Sequence, residues 1–362
     1  MFKNKGGVIY LVFLAITIIV VIILYFKFGV SDVKEQVDNK AEITPFDAEK
    51  EKELKEKADI YFASVSSLPT QDISSEKVAL GKKLFFDKRL SKNETISCNS
   101  CHNMSAYGVD NLALSPGDTE EFGNRNSPTV FYAHLHGIQF WDGRAKDVEE
   151  QAGGPILNPV EHNIPSEGFL EERLRGIKEY QTMFAEVYSD STDPITFATI
   201  TNAIGAFERQ LNPVSRFDEW LDGDKDAMTT QEKEGLTVFI NNACITCHNG
   251  PALGGNMLQK FGLNGDYWEH TMSKVIDNGV YDLSKEERDK FMFKTPGLRN
   301  VEKTYPYFHD GSVEKLEDAV RIMGKLQVAN ELTEDEVKSV TAFLKALTAD
   351  VADEHKELTS EN

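Results

Sequence analysis

Apolar and polar positions divide the chain into three regimes. Residues 8–26 (VIYLVFLAITIIVVIILYF) form an unbroken apolar run of 19 residues with no charge and no helix breaker, long enough to cross a bilayer core as a helix. Residues 31–57 reverse the pattern, being charged and poor in apolar side chains. Their run DAEKEKELKEK suits a solvated helix that buries little. From Ala58 the spacing becomes that of a folded body: Ile60, Tyr61, Phe62 and Val65 supply a first apolar face, and residues 78–86 read as a helix. Further helical runs end with AIGAFERQL at Leu211 and with VTAFLKAL near Leu347, and the Glu-rich stretch after Ala349 reads as a disordered tail.

The body is written twice. LGKKLFFDKRL, CNSCHN, RNSPTV and FWDGR precede the first closing helix, and EGLTVFINNA, CITCHNG, TPGLRNV and YFHDGS precede the second, in the same order. In this alignment Trp141 stands where His309 stands in the other half. Each half holds one C-x-x-C-H, at Cys98, Cys101 and His102 and at Cys244, Cys247 and His248, and the two use all four cysteines. This is the attachment signal for c-type haem: two thiols one helical turn apart add to the haem vinyl groups, and the adjacent histidine ligates the iron. Structural zinc would need paired half-sites, and a redox dithiol would not need a histidine after the second cysteine in both copies.

The expected fold is therefore mainly α: two tandem cytochrome c-like helical domains, each with one covalent haem c, behind an N-terminal transmembrane helix. The boundaries read from the sequence are an anchor at 1–30, a charged linker at 31–57, domains at 58–211 and 212–349, and a tail at 350–362. The apolar run is longer than a usual signal-peptide core and no A-x-A-like site follows it, so it reads as an uncleaved anchor. Lys3 and Lys5 before it and Lys27, Lys34 and Lys40 after it leave its orientation open by charge. Haem attachment fixes the orientation instead, because covalent c-type haem is assembled outside the cytoplasmic membrane; the body is expected on the periplasmic, extracytoplasmic side.

Composition adds limits. Forty per cent apolar residues suffice for ordinary cores, and a net charge of −20 argues against nucleic-acid binding while suiting a partner with a basic face. No disulfide is expected, since each cysteine has a haem to bind.

The motifs LFFDKRLS, ISCNSCHN, GVDN, RNSPTV, QFWDGRA, TPGLRN, PYFHDGS and IMG, spread over residues 58–348, resemble the bacterial di-haem cytochrome c peroxidase family, whose relatives include the MauG-type maturation enzymes. The resemblance implies that the N-terminal haem reacts with peroxide and the C-terminal haem takes electrons from a small donor, a c-type cytochrome or a copper protein. It implies Met323, in the loop before the last helix, as sixth ligand of the C-terminal haem, with Met257, Met272 and Met292 as competitors. His/Met ligation raises a haem potential, which suits an electron-receiving centre. It implies Glu161 as the distal proton-transfer group, Gln151 as a second distal polar residue, and Trp141 as the coupler between the haems. A calcium ion between the domains would be held at Asn126, Thr304 and Pro306, through oxygen ligands that suit a hard cation. Family members commonly form homodimers.

One position departs from the family pattern. Many members carry a histidine after the first haem motif that blocks the peroxide site until the other haem is reduced; here Asp118 stands there. Aspartate is a poor ligand for c-type haem, so the expectation is a peroxidatic site open without prior reduction, with His162, or His134 and His136, as alternative caps. The leading function is peroxide reduction to water. A MauG-like oxidase acting on a protein substrate is the catalytic alternative, which Met323 disfavours because that branch has tyrosine there. A non-catalytic di-haem electron carrier is the alternative from another class. His270 and His355 carry no readable signal.

Overall fold

The computed structural model describes residue 46 and residues 48–358. The expected membrane segment lies outside them, and no helix among the described residues is long and apolar enough to cross a membrane. The body is mainly helical, and its one small sheet pairs Leu258–Lys260 antiparallel with Met292–Lys294.

The repeat in the sequence is a repeat in the packing. In the first half helix Ser75–Phe86 lies against Phe197–Glu208, and in the second Thr230–Asn241 lies against Glu334–Ala346. Local signals start these helices. Ser74 accepts from the Lys77 amide, while Thr229 with Glu232 and Thr333 with Glu336 form capping boxes. Each pair crosses at a glycine. A Cβ on Gly81 would lie 1.8 Å from the Ala203 carbonyl oxygen, and one on Gly235 would lie 1.8 Å from that of Ser339, so only glycine lets the backbones approach. The tight turns repeat as well, with antiparallel bridges Gln139↔Ala145 and Tyr307↔Val313 closing FWDGR and FHDGS. The Tyr132 amide donates to Leu211 O at 2.9 Å and the Asn300 amide to Leu347 O at 3.1 Å, tying each loop to the end of its closing helix.

The first half is organised by an apolar core around Leu80, Leu84, Phe85, Phe131, Phe184 and Phe207. In the second half a smaller cluster of Phe261, Tyr267, Phe293 and Leu326 has Trp141 and Met323 packed against it. A buried ion pair inside the second half touches the first. Arg299 donates to both oxygens of Asp218 at 2.7 and 2.8 Å, and its guanidinium lies over the Tyr132 ring.

Three expectations are corrected. The charged stretch to residue 57 is not all tether, because Ala48–Tyr61 is a helix that buries Glu51, Leu54 and Ala58. Glu51 accepts from Trp220 Nε1 at 2.6 Å and pairs with Lys233 at 2.7 Å, so its charge is consumed inside the fold. The tail is ordered through Leu358: Val351 joins the first core, Lys82 Nζ donates to Glu354 O at 2.6 Å, and His355 packs edge to face on Phe207. The N-terminal helix thus packs on the second half and the C-terminal segment on the first. Met323 sits within helix Leu316–Gln327 rather than in a loop.

Candidate active site

Cys98 and Cys101 open and close a single helical turn, Cys98–Cys101, started by Ser97 and Ser100 in a capping box. The turn leads directly into His102. His102 Nδ1 is 3.4 Å from Gly108 O, and the Pro128 carbonyl also bonds the ring. In the second motif His248 Nδ1 is 3.2 Å from Leu253 O, with a further bond to the Pro296 carbonyl. Pro128 and Pro296 are repeat-equivalent. In both halves carbonyls fix Nδ1–H and leave Nε2 as the basic nitrogen, the arrangement that orients an imidazole for a metal. Burial depresses the pKa of both rings, His248 to about 4, so each is a neutral base at physiological pH. All four cysteines are unpaired. Burial pushes the Cys101 and Cys244 thiols up to about 11.

Cys98, Cys101 and His102 line a cavity of about 990 Å³, at the upper end of the ~300–1,000 Å³ usual for cofactor sites. The donors fit a covalent haem c. Two thiols and a pre-oriented imidazole face one space of cofactor size.

The same wall carries Trp141, Gln151, Glu161 and His162. Glu161 accepts from Asn158 Nδ2 at 2.8 Å. Burial raises its pKa, and the Asn158 bond and the charge of Arg144 offset only part of that rise. A carboxyl poised this way in a cavity can exchange protons with a bound molecule. Trp141 Nε1 donates to Asn126 O at 2.9 Å, and its ring reaches from the cavity to the cluster holding Met323. Met272 is exposed, Met257 precedes the first strand and Met292 opens the second, so only Met323 of the four packs on that cluster.

Asp118 is not on the cavity wall. Its buried carboxylate accepts from the Asn93 amide at 2.9 Å and from Thr95 Oγ1 at 2.6 Å, and its amide donates to Glu161 O at 2.8 Å. Burial works to raise its pKa, but the bonds from Thr95 and Asn93 outweigh this and hold it below the carboxylate range. It is a clamp between two loops. His162 does face the cavity; its Nδ1 lies 3.0 Å from Leu90 O, and burial lowers its pKa to about 4. His134 is engaged at both nitrogens, by Asn212 Oδ1 at 2.6 Å and Gln71 Nε2 at 3.4 Å, and His136 is engaged by Lys294 at 3.0 Å. Asn126, Thr304 and Pro306 line one small cavity of about 90 Å³ together with Trp141. Among the described residues no group of three or more His, Cys, Asp or Glu side chains could hold a metal ion.

Lys294 was missed by sequence reasoning, and it lines the large cavity beside His136. A lysine in FKTPGLRN looks like any surface lysine, and only the fold buries it.

The family model for di-haem cytochrome c peroxidase matches residues 75–226. Cytochrome c551 peroxidase of Nitrosomonas europaea is 46% identical over 281 residues, which is 77% of this chain and 82% of that protein. The chain belongs to the di-haem cytochrome c peroxidase family. Cytochrome c551 peroxidase of Pseudomonas aeruginosa is 43% identical over 286 residues, covering 78% of this chain and 82% of that one. Among solved structures, a MauG-like protein associated with microbial copper homeostasis superposes with a TM-score of 0.72 at 29% identity, covering 80% of this chain and 98% of that one. The chain is accordingly an enzyme, a cytochrome c peroxidase, and membership implies two haem c groups.

Proposed function

We propose that this family member is a membrane-anchored peroxidase on the periplasmic side, reducing hydrogen peroxide to two waters with two protons and two electrons from a small c-type cytochrome or copper protein. The observation that carries this reading is Glu161, a carboxyl of raised pKa on the wall of the cavity that also holds His102. Haem bound through Cys98, Cys101 and His102 supplies the redox chemistry of O–O cleavage. Glu161 takes a proton from one peroxide oxygen and returns it to the departing oxygen, while Asn158 keeps its carboxyl oriented. Gln151 offers an amide to position peroxide beside it. His248 and Met323 would hold the second haem, which would supply electron entry from the donor, and Trp141 would couple the two sites, since it spans from the cavity to the Met323 cluster. In this reading residues 58–211 carry peroxide chemistry and residues 212–349 electron entry.

The peroxide site works without prior reduction, because Asp118 is committed to Asn93 and Thr95 and has no ligand to offer. The test is peroxide-dependent oxidation of a reduced small cytochrome c, started from the all-ferric enzyme and repeated after reduction of the higher-potential haem. Immediate turnover supports the open site. Turnover only after reduction assigns the cap to another residue, His162 first. Silence in both forms overturns the peroxidase reading in favour of an oxidase of protein substrates or a carrier. A calcium ion held by neutral oxygens at Asn126, Thr304 and Pro306 belongs to the same reading, supported by their shared cavity. Loss of activity on chelation and its return with Ca²⁺ test it.

A further inference from the structure

Lys294 is 4% exposed at the end of the short strand Met292–Lys294, and among the described residues no carboxylate lies within ion-pair distance of its Nζ. Its one side-chain partner is His136, whose Nδ1 is 3.0 Å away and whose ring is held neutral by burial and by the lysine's own charge. Taking a lysine out of water without a counter-charge is unfavourable, so a buried ammonium facing a neutral acceptor calls for an anion. Burial alone lowers the Lys294 pKa only to about 8, leaving it cationic at neutral pH.

The surroundings are built rather than accidental. Gly255 and Gly297 enclose the His136 ring, and a Cβ on either would lie 2.1 or 2.7 Å from it. The Lys294 amide donates to Trp141 O at 2.7 Å, so the lysine and the tryptophan are fixed to one another. Lys294, His136 and Trp141 all line the cavity that begins at Cys98, Cys101 and His102.

We propose that Lys294, steadied by His136, is the counter-ion for a propionate carboxylate of the haem bound at Cys98, Cys101 and His102, and is thereby a positioning residue that sets that haem's potential. The assignment rests on the covalent haem of the proposed function. A fixed cation beside the cofactor favours its electron-richer form, so Lys294 raises the potential of this haem relative to the same site without it.

The test is spectroelectrochemical titration of both haems in the full holoenzyme, for the unaltered chain, two neutral variants and a charge-preserving one. Lys294→Gln can still donate to His136, and Lys294→Met removes both the bond and the charge. In each, the reduced-to-oxidised ratio of the N-terminal haem at fixed poise is expected to fall about tenfold, or about 59 mV for one electron. Lys294→Arg should hold that ratio within about twofold. Unchanged potentials in the neutral variants, or a shift confined to the haem on His248, overturn the assignment. So does a shift that disappears when small anions are dialysed away, because the counter-ion is then a soluble anion. Covalent haems are counted in the same samples. A count below two in the unaltered chain overturns the underlying haem reading as well, whereas unchanged potentials at a count of two overturn this assignment alone.

Discussion

Trp141 and His309 occupy the same position in the two repeats, and their rings meet edge to face with centroids 6.4 Å apart. The duplicated turn thus brings its two variable residues together where the halves join. His309 is buried, stacks on Phe293 with centroids 4.3 Å apart, and leaves its Nε2 without a hydrogen bond. Both residues line the large cavity, and Trp141 also packs on the Met323 cluster, the placement on which its proposed coupling of the two sites rests.

Replacing that indole tests the coupling. Trp141→Phe keeps an aromatic ring but loses the bond from Nε1 to Asn126 O. Reduction of the peroxide-reacting haem through the other haem should slow by about tenfold, or about 1.4 kcal/mol on the barrier. Peroxide binding should be unaffected. Stopped-flow absorbance, following each haem separately, distinguishes the two steps.

Glu161 makes a prediction in pH. Burial raises its pKa above the ordinary glutamate value, so the base form needed to accept a peroxide proton is populated only at higher pH than for an exposed glutamate. The acid limb of the rate profile should therefore lie above that of an exposed glutamate. In Glu161→Gln that limb should vanish and turnover should fall by about 10²-fold or more. A variant that keeps the acid limb would assign the proton transfer elsewhere.

What could be read from the chain follows the range of the interactions involved. Both haem motifs are local: two thiols and an imidazole within five residues need only one turn of backbone to meet, so Cys98, Cys101 and His102 were legible at once. The repeat was legible because its glycines, prolines and caps recur at matching places, Gly81 with Gly235 and Pro128 with Pro296. Long-range partners were not legible. Nothing near Glu51 announces Trp220 and Lys233, so a helix that docks on the second half looked like a tether. Asp118 was placed by its neighbours in sequence as a change at the haem, whereas its carboxylate turns to Asn93 and Thr95, back along the chain.

The buried ion pair of the second half should be acid-sensitive. Asp218 is fully buried and accepts from Arg299, from the Val65 amide and from Ser215. Burial pushes its pKa up, but Arg299 and the other donors outweigh this and hold it below the ordinary aspartate value. A carboxyl depressed on folding contributes stability that is complete above its unfolded pKa of about 3.9, and loses it as pH falls through the folded value. Asp218→Asn leaves Arg299 buried without its counter-charge and should cost about 3–5 kcal/mol at neutral pH. Urea unfolding at neutral and acidic pH measures both effects, and the difference between variant and unaltered chain should narrow as the pH drops.

The last prediction separates structure from ligation at Asp118. If this aspartate matters because it sits where other members place a histidine, removing it should change the iron's surroundings. Its contacts say otherwise. The carboxylate binds the Asn93 amide and the Thr95 hydroxyl, its own amide binds Glu161 O, and it stands off the cavity wall. Asp118→Ala leaves those buried donors without an acceptor, at a cost of about 1–3 kcal/mol. The ferric absorption and electron paramagnetic resonance spectra of the N-terminal haem should keep the unaltered protein's spin state, because no ligand has been lost. Since the Asp118 loop is tied to the Glu161 backbone, a modest loss of turnover is expected alongside the loss of stability. A change of spin state with stability intact would mean that Asp118 reaches the iron, and the open-site explanation would then need a different residue.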